Sequence, residues 1–506
     1  MNKKILFGAL LPVAACFNAY GQNETLYDFT RAAACDLNGT ARYTGTGGAM
    51  GAIGGDASSI GANPAAIGVY RSTEITASLN VNWTNTRIDE GQTGTIPGAN
   101  LSNLSLIGTW GSGGDRGMTY TSLGVAFNRV ASFRRSGRTQ GTASGNSLTG
   151  FLADYTAGAS NSSLSAGDAY DNTDLGWASI LASRTGMISD NGDGTFTSLY
   201  QQAGGGDYGR YLEFRESGEI DNLNVALGGA VNNKVYWGLS IEADFLDYKY
   251  NRTLQETYAD NSYAQAANSV NLSGTGITMK FGVIYKPLKW LRVGAAFHTP
   301  TWWTLKTAAD ATYATSLASA TQSGVPSSSE CALSSPLRAL LAAGFVFNKG
   351  FIGVDYQFSD YTDMHAGTKK NPHAMNQYAA GRTLNTHTLR LGGEFKPVSA
   401  LALRLGGGYT SPANHADDTR LYYVNDNGYT NDIRTDFDYY NDRGSFNAAC
   451  GIGGRFGHHS IDLAYVCQVN FADYYSYNAD YTGEAQDPLP IRSVRHQLLL
   501  SYGLRF

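Results

Sequence analysis

Fourteen times along this chain, about ten residues alternate apolar and polar side chains, yet no apolar run reaches the ~18 residues of a membrane-spanning helix. Alternation puts one face of a strand in oil and the other in water. A strand in hydrocarbon must pair every backbone amide and carbonyl, and only a closed sheet has no edges. In "TEITASLNVNWTN", Ile75, Ala77, Leu79, Val81 and Trp83 share one face. The pattern returns at 101–110, 121–133, 222–231, 235–245, 276–285, 290–298, 337–347, 351–358, 386–395, 401–409, 445–456, 460–470 and 495–506. Short connections ("NNK", "KPLK", "NKG", "KPVSA", "GHH") alternate with long ones rich in Tyr, Asn, Asp and Ser, the longest being 134–221. Short turns on one rim and long loops on the other are the pattern of bacterial outer-membrane barrels. The predicted fold is all-β: a 14-stranded antiparallel transmembrane β-barrel, both ends periplasmic, in the outer membrane of a Gram-negative cell. The long connections, 134–221 among them, fall outside the membrane.

The chain opens "MNKKILFGALLPVAACFNAYGQN". Lys3 and Lys4 form a basic head, Ile5 to Ala15 an apolar run, and Ala19 and Gly21 supply small residues. This reads as a signal peptide over 1–21. "VAAC" also allows a lipoprotein-type cut with Cys16 lipidated. The barrel then occupies 72–506, and 22–71 remains to be placed. A lumen this wide leaks unless something fills it. "ETLYDFTRAAA" reads as a short helix, and "GDASSIGANPAAIGVYRS" offers small residues that let backbones approach closely. Pro64 fixes its own φ and restricts Asn63, whose side chain can satisfy a neighbouring amide, so the segment reads as a rigid plug or hatch.

Across "GHHS", facing Gly457 with Ser460 sets one register. It opposes Arg455 to Asp462 as a lumen ion pair, and Cys450 to Cys467 on the apolar face. The two thiols then form either a bridge or a free pair, since directly opposed strand positions strain a disulfide. A wide loop rather than a tight turn is expected, because His-His is a poor two-residue turn.

Further inward-facing charges are Glu242, Asp244, Lys280, Arg292, Arg338, Asp355, Arg390, Glu394 and Arg404; they are expected to pair with one another and to hold the hatch. Trp302, Trp303 and Leu305 in "TPTWWTLK" read as a ligand-capture loop or as girdle aromatics. The acidic, Tyr-rich run 422–442 reads as a solvated loop, and "DNGDGTF" lacks the spacing of a calcium-binding EF-hand. There is no HExxH, CxxC or phosphate-binding loop, so neither catalytic residues, a metal nor a cofactor is expected. Net charge of −5 gives no reason to expect a nucleic-acid partner.

One stretch carries a resemblance. "TGTGGAMGAIGGDASSIGANPAAIGVYRSTE", with Asp56, Ala57, Asn63, Pro64 and Ala65, resembles the amino-terminal hatch of the FadL family of outer-membrane transporters for long-chain fatty acids and other hydrophobic compounds. The fourteen strands agree with it. The terminal Phe506, ending an alternating run, resembles the signal read by the outer-membrane assembly machinery. The resemblance implies a monomeric, passive transporter whose partners are outer-membrane lipid and a hydrophobic small molecule. In that family the ligand is caught by extracellular loops, enters a pocket in the barrel, and leaves sideways through a gap at a distorted third strand, here the one carrying Gly124. Alternatives left open are a secretion-system or surface-interaction scaffold and a general porin.

Overall fold

The computed structural model describes residues 26–112, 114, 116–172, 175–317, 321–322, 327–367, 383–415, 434–477 and 487–506. The predicted signal peptide, Cys16 and residues 422–433 of the acidic run lie outside them. Fourteen wall strands close into one antiparallel barrel. They are β1 (Glu74–Ile88), β2 (Gly94–Gly111), β3 (Met118–Ser132, resuming at Arg135–Ala143), β4 (Tyr208–Val231), β5 (Val235–Thr257), β6 (Tyr263–Tyr285) and β7 (Leu291–His298, resuming at Trp302–Thr315). Then come β8 (Ser327–Ser334 and Leu337–Phe347), β9 (Gly350–Asp360 and His365–Gly367), β10 (Thr386–Val398), β11 (Leu401–Thr410), β12 (Tyr439–Phe456), β13 (His459–Tyr475) and β14 (Leu489–Arg505). β14 pairs with β1 along its whole length, from Glu74↔Arg505 to Ile88↔Ile491, which removes both sheet edges.

The alternation sorts the two faces as the sequence requires. Ile75, Leu79 and Val81 on β1, Leu239, Ile241 and Phe245 on β5, and Leu498, Leu500 and Tyr502 on β14 face outward and are exposed, while Thr76, Ser78, Asn80 and Asn82 are buried inside. Trp110, Trp290, Phe347, Phe456 and Phe506 stand exposed beside the short turns and the carboxyl end, the place of a membrane-interface girdle. Among the described residues no helix is long and apolar enough to span a membrane. The chain is an outer-membrane barrel.

The lumen is occupied. Residues 26–72 precede β1 and carry α1 (Leu26–Ala32), α2 (Ala41–Gly45), α3 (Ser59–Ala62) and a 3₁₀ turn (Pro64–Val69). At the other end the strands run past the apolar band: β4, β5 and β6 have 24, 23 and 23 residues, against the ~9–11 needed to cross. Their outer halves enclose a folded cap with α4 (Leu148–Tyr155), α5 (Asn161–Ser165), α6 (Trp177–Thr185) and α7 (Leu199–Gln202). The predicted loop 134–221 is thus strand at both ends and a helical cap between. Phe151 packs on Phe437 and Tyr477 at centroid distances of 4.8 and 5.4 Å, each such buried ring contributing about 1.5–3 kcal/mol. Glu256 accepts the Leu148 amide at 2.9 Å, and Ser147 Oγ that of Gly150 at 3.0 Å, satisfying the start of α4.

The β12–β13 hairpin corrects the expected register. The connection is a tight two-residue turn, Gly457-His458, with Phe456 facing His459 and Gly457 at φ 59°. Glycine at the first central position suits such a turn, and every pair moves by two. Cys450 now faces Tyr465, Cys467 faces Ala448, and both cysteines are free. As diagonal neighbours they are roughly 7–8 Å apart, beyond disulfide reach. Arg455 faces Ser460, and Asp462 pairs instead with Arg404 at 2.7 Å. The intact mass of the purified chain should be the same with and without reductant; a mass gain on reduction would mean that a disulfide had formed.

Candidate functional site

The hatch meets the wall backbone to backbone. Each strand from β4 to β11 contributes an inward glycine, and most pair directly across the sheet: Gly228↔Gly238, Gly238↔Gly282, Gly344↔Gly353, Gly353↔Gly392 and Gly392↔Gly406. A Cβ on Gly238 would strike Pro64 O, one on Gly282 would strike Asn63 Oδ1, and one on Gly353 would strike Ala49 O. One on Gly392 would strike Thr46 O, and one on Gly294 would strike Gly51 O. The hatch therefore follows the wall round, from Thr46 at β10 to Pro64 at β5, on a belt bare of side chains. Glycine inside a strand weakens it, so its repeated placement marks close backbone approach.

Asn63 is the corner. It is fully buried; its Oδ1 accepts the Ala65 amide at 3.1 Å and its Nδ2 donates to Gly51 O at 2.7 Å. The predicted hatch motif is thus brought together as one unit. Asp56 accepts Thr40 Oγ1 at 2.8 Å and the Ser58 amide at 3.0 Å, tying the start of α2 to the far side of the hatch. Burial pushes the Asp56 carboxyl above its usual range, while Arg42, Thr40 and Ser58 pull the other way. Burial also opposes charge on Arg42, but Glu394 and Asp56 hold its guanidinium above the ordinary value. Ala57 is buried in a small cluster with Ile60, Ile67 and Tyr70.

Wall side chains satisfy the rest of the hatch backbone. Lys280 donates to Gly61 O at 2.8 Å, Arg292 to Ile53 O at 2.6 Å, and Arg338 to Ala33 O at 2.6 Å. Asp355 accepts the Gly51 amide at 2.8 Å, and Arg42 meets Glu394 at 2.9 Å. Lys280–Glu242 (2.7 Å) and Arg404–Glu394 (2.8 Å) pair within the wall. The inward charges hold one another and the hatch, as their chemistry requires.

Above the hatch lies a cavity of about 130 Å³. Ala32, Val130, Ile220 and Trp303 give it apolar walls, and Glu242, Asp244, Lys280, Arg338 and Arg390 charged ones. Arg390 has no carboxylate partner among the described residues; its contacts are to Gln357 at 3.4–3.5 Å. The cavity also touches Asn128 and Arg129 of β3, where the wall is irregular. β2 and β3 pair only from Gly111↔Tyr120 to Asn103↔Asn128. Beyond that point Gly94–Leu101 of β2 pairs with β1 alone, and β3 breaks at Phe133–Arg134 before resuming against β4. Asn103, Asn128 and Asn222 are linked by amide hydrogen bonds of 2.7 and 3.2 Å across the end of the ladder.

Two expectations change here. Gly124 is fully paired, to Ile107 and Ala226, so the irregularity of the third strand lies farther along. Glycine allows a distortion but does not demand one. Pro97 is the better signal: proline in a strand marks a position with a neighbour on one side only. Trp302, Trp303 and Leu305 are not a loop. Pro300 interrupts β7 and the strand resumes at Trp302, with alternation turning Trp302 out at 51% exposure and Trp303 and Leu305 inward. Trp303 lines the cavity and Leu305 joins the cap's core.

Replacing Gly282 or Gly392 by valine should cost about 1–3 kcal/mol through overpacking and raise single-channel conductance by unseating the hatch. Gly141→Val, in open space on the β3 extension, should change neither. Unaltered conductance in both belt variants would contradict the seating.

No family model matches the sequence, and no curated protein matches it. Solved structures do. A FadL homologue of Pseudomonas aeruginosa is 15% identical, with 93% of this chain and 99% of that chain covered and a TM-score of 0.53. The toluene transporter TodX of Pseudomonas putida is 14% identical over 93% and 99%, TM-score 0.52. The monoaromatic hydrocarbon channel CymD is 13% identical over 94% and 99%, TM-score 0.51. With its closed fourteen-stranded wall and occupied lumen, the chain has the FadL-type fold.

Proposed function

We propose that this protein carries hydrophobic small molecules passively across the outer membrane and releases them sideways into the bilayer. The observation that carries the reading is that the cavity reaches Asn128, Arg129 and Val130 of β3, where the β2–β3 ladder ends. An apolar solute gains roughly 25 cal/mol per Å² on leaving water and loses that gain on re-entering it. A side exit spares it the second step. The structural neighbours include a toluene transporter and a monoaromatic hydrocarbon channel. The cavity here favours an amphiphile over a bare hydrocarbon, since Arg390, without a carboxylate partner among the described residues, would be stripped of water without return by a wholly apolar guest. The lining suits a carboxylate amphiphile, its headgroup toward Arg390 and the near part of its chain along Trp303 and Val130. Entry requires the cap to open, because its packed aromatic core closes the outer end. Phe506, exposed at the end of β14, serves the assembly machinery in this reading, and the barrel works as a monomer.

Proteoliposomes should take up a labelled long-chain fatty acid saturably. Asn128→Trp, which fills the cavity wall beside the break, and Arg390→Gln should each cut uptake severalfold in correctly folded barrels. Wild-type rates in both variants, or uptake no faster than in protein-free liposomes, would refute the reading; ion conductance of porin size in the wild type would favour an open pore.

A further inference from the structure

A second cavity, about 360 Å³, lies at the short-turn end between hatch and wall. Six cations line it, Arg42, Arg71, Arg292, Lys396, Arg455 and Arg505, against two carboxylates, Glu74 and Glu394. Both carboxylates are already engaged. Glu394 takes Arg42, Arg404 and Lys396 at 2.9, 2.8 and 3.2 Å, and Glu74 takes Arg505 at 2.5 Å. Asp462, the acid nearest in sequence to Arg455, is held by Arg404 at 2.7 Å. Arg71, Arg292 and Arg455 therefore have no carboxylate among the described residues. Arg292 donates one Nη to Ile53 O at 2.6 Å and leaves a buried Nε without any partner. Arg71 spends its donors on Gly68 O, Tyr70 O and Asn233 and lies over the Tyr120 ring at 4.3 Å. Several like charges held in one recess repel each other unless an anion joins them.

We propose that this recess binds a phosphate-class oxyanion, free or as a lipid headgroup, that bridges the hatch to the wall. Guanidinium forks suit tetrahedral oxyanions. Arg42 and Arg71 belong to the hatch; Arg292, Lys396, Arg455 and Arg505 project from β7, β10, β12 and β14. An anion among them adds a tie at the periplasmic end of the hatch, opposite the fatty-acid cavity. The site stands whether or not the protein carries fatty acids.

Calorimetric titration of the full chain in non-ionic detergent, with inorganic phosphate and separately with a soluble short-chain phosphatidylglycerol, tests it. Saturable binding of phosphate, weakened about tenfold or more in both Arg292→Gln and Arg455→Gln but not in Lys249→Gln, supports a free anion. The same variant pattern with phosphatidylglycerol alone supports a headgroup. Hydrogen exchange in residues 49–66 should slow when the ligand is added. No saturable binding of either probe, equal affinity in wild type and both arginine variants, or equal weakening in Lys249→Gln overturns the proposal.

Discussion

A backbone amide in hydrocarbon has no water to fall back on, and leaving it unpaired costs several kcal/mol. The wall is arranged around that penalty. β1 pairs along its full length with β14, and every neighbouring pair of strands is joined. The relaxation between β2 and β3 comes only beyond Asn103, past Leu104, Leu106 and Trp110, the most exposed apolar side chains of β2. There the amides of Asn103, Asn128 and Asn222 cross the end of the ladder. The wall is irregular where polar side chains can take over from the missing ladder.

The same penalty governs the inside. A plug of irregular backbone brings many polar groups into a confined space. Its carbonyls at Ala33, Ile53, Gly61 and Ala62 accept from Arg338, Arg292, Lys280 and His298, and its Gly51 amide donates to Asp355. These ties require the hatch to lie within a side chain's reach of the wall, and the glycine belt makes that approach possible. The inward charges, the glycines and the small residues of the hatch are thus one device. It seats a stopper mainly through polar ties and close backbone contact rather than through one large apolar interface.

Much of this is legible in the sequence, because a period of two repeated over fourteen segments fits little besides a sheet with one oily and one wet face. The fourteen strands, the closing strand and the Asn63-Pro64 corner all follow from local rules. The misses have physical causes too. Gly457 promotes a tight turn where the two histidines suggest a wider loop, and the resulting shift of two residues breaks the expected Arg455–Asp462 and Cys450–Cys467 pairings. In the outer halves of β4 to β6 the alternation continues, but the inward face now carries apolar side chains packed under the cap, such as Phe214, Tyr248, Tyr250 and Leu254, and the outward face polar ones such as Asp247 and Lys249. The apolar-outward pattern therefore stops and the strands read as shorter than they are. The cavity joins α1, β3, β7, β8 and β10, positions far apart in the chain. The glycine belt is visible as Gly228-Gly229, Gly392-Gly393 and Gly406-Gly407 inside strands, but its meaning needs the hatch in place.

Hydrogen exchange of the wild-type chain in lipid nanodiscs, followed by mass spectrometry over residues 49–66, tests the seating of the hatch most directly. The amides of Gly51, Asn63, Ala65 and Ala66 all have partners, to Asp355, Ser59, the Asn63 side chain and Asn63 O. They should exchange as slowly as the wall strands around them. Exchange as fast as that of an unstructured peptide would mean that the segment hangs free of the lumen and that nothing stoppers the barrel from within.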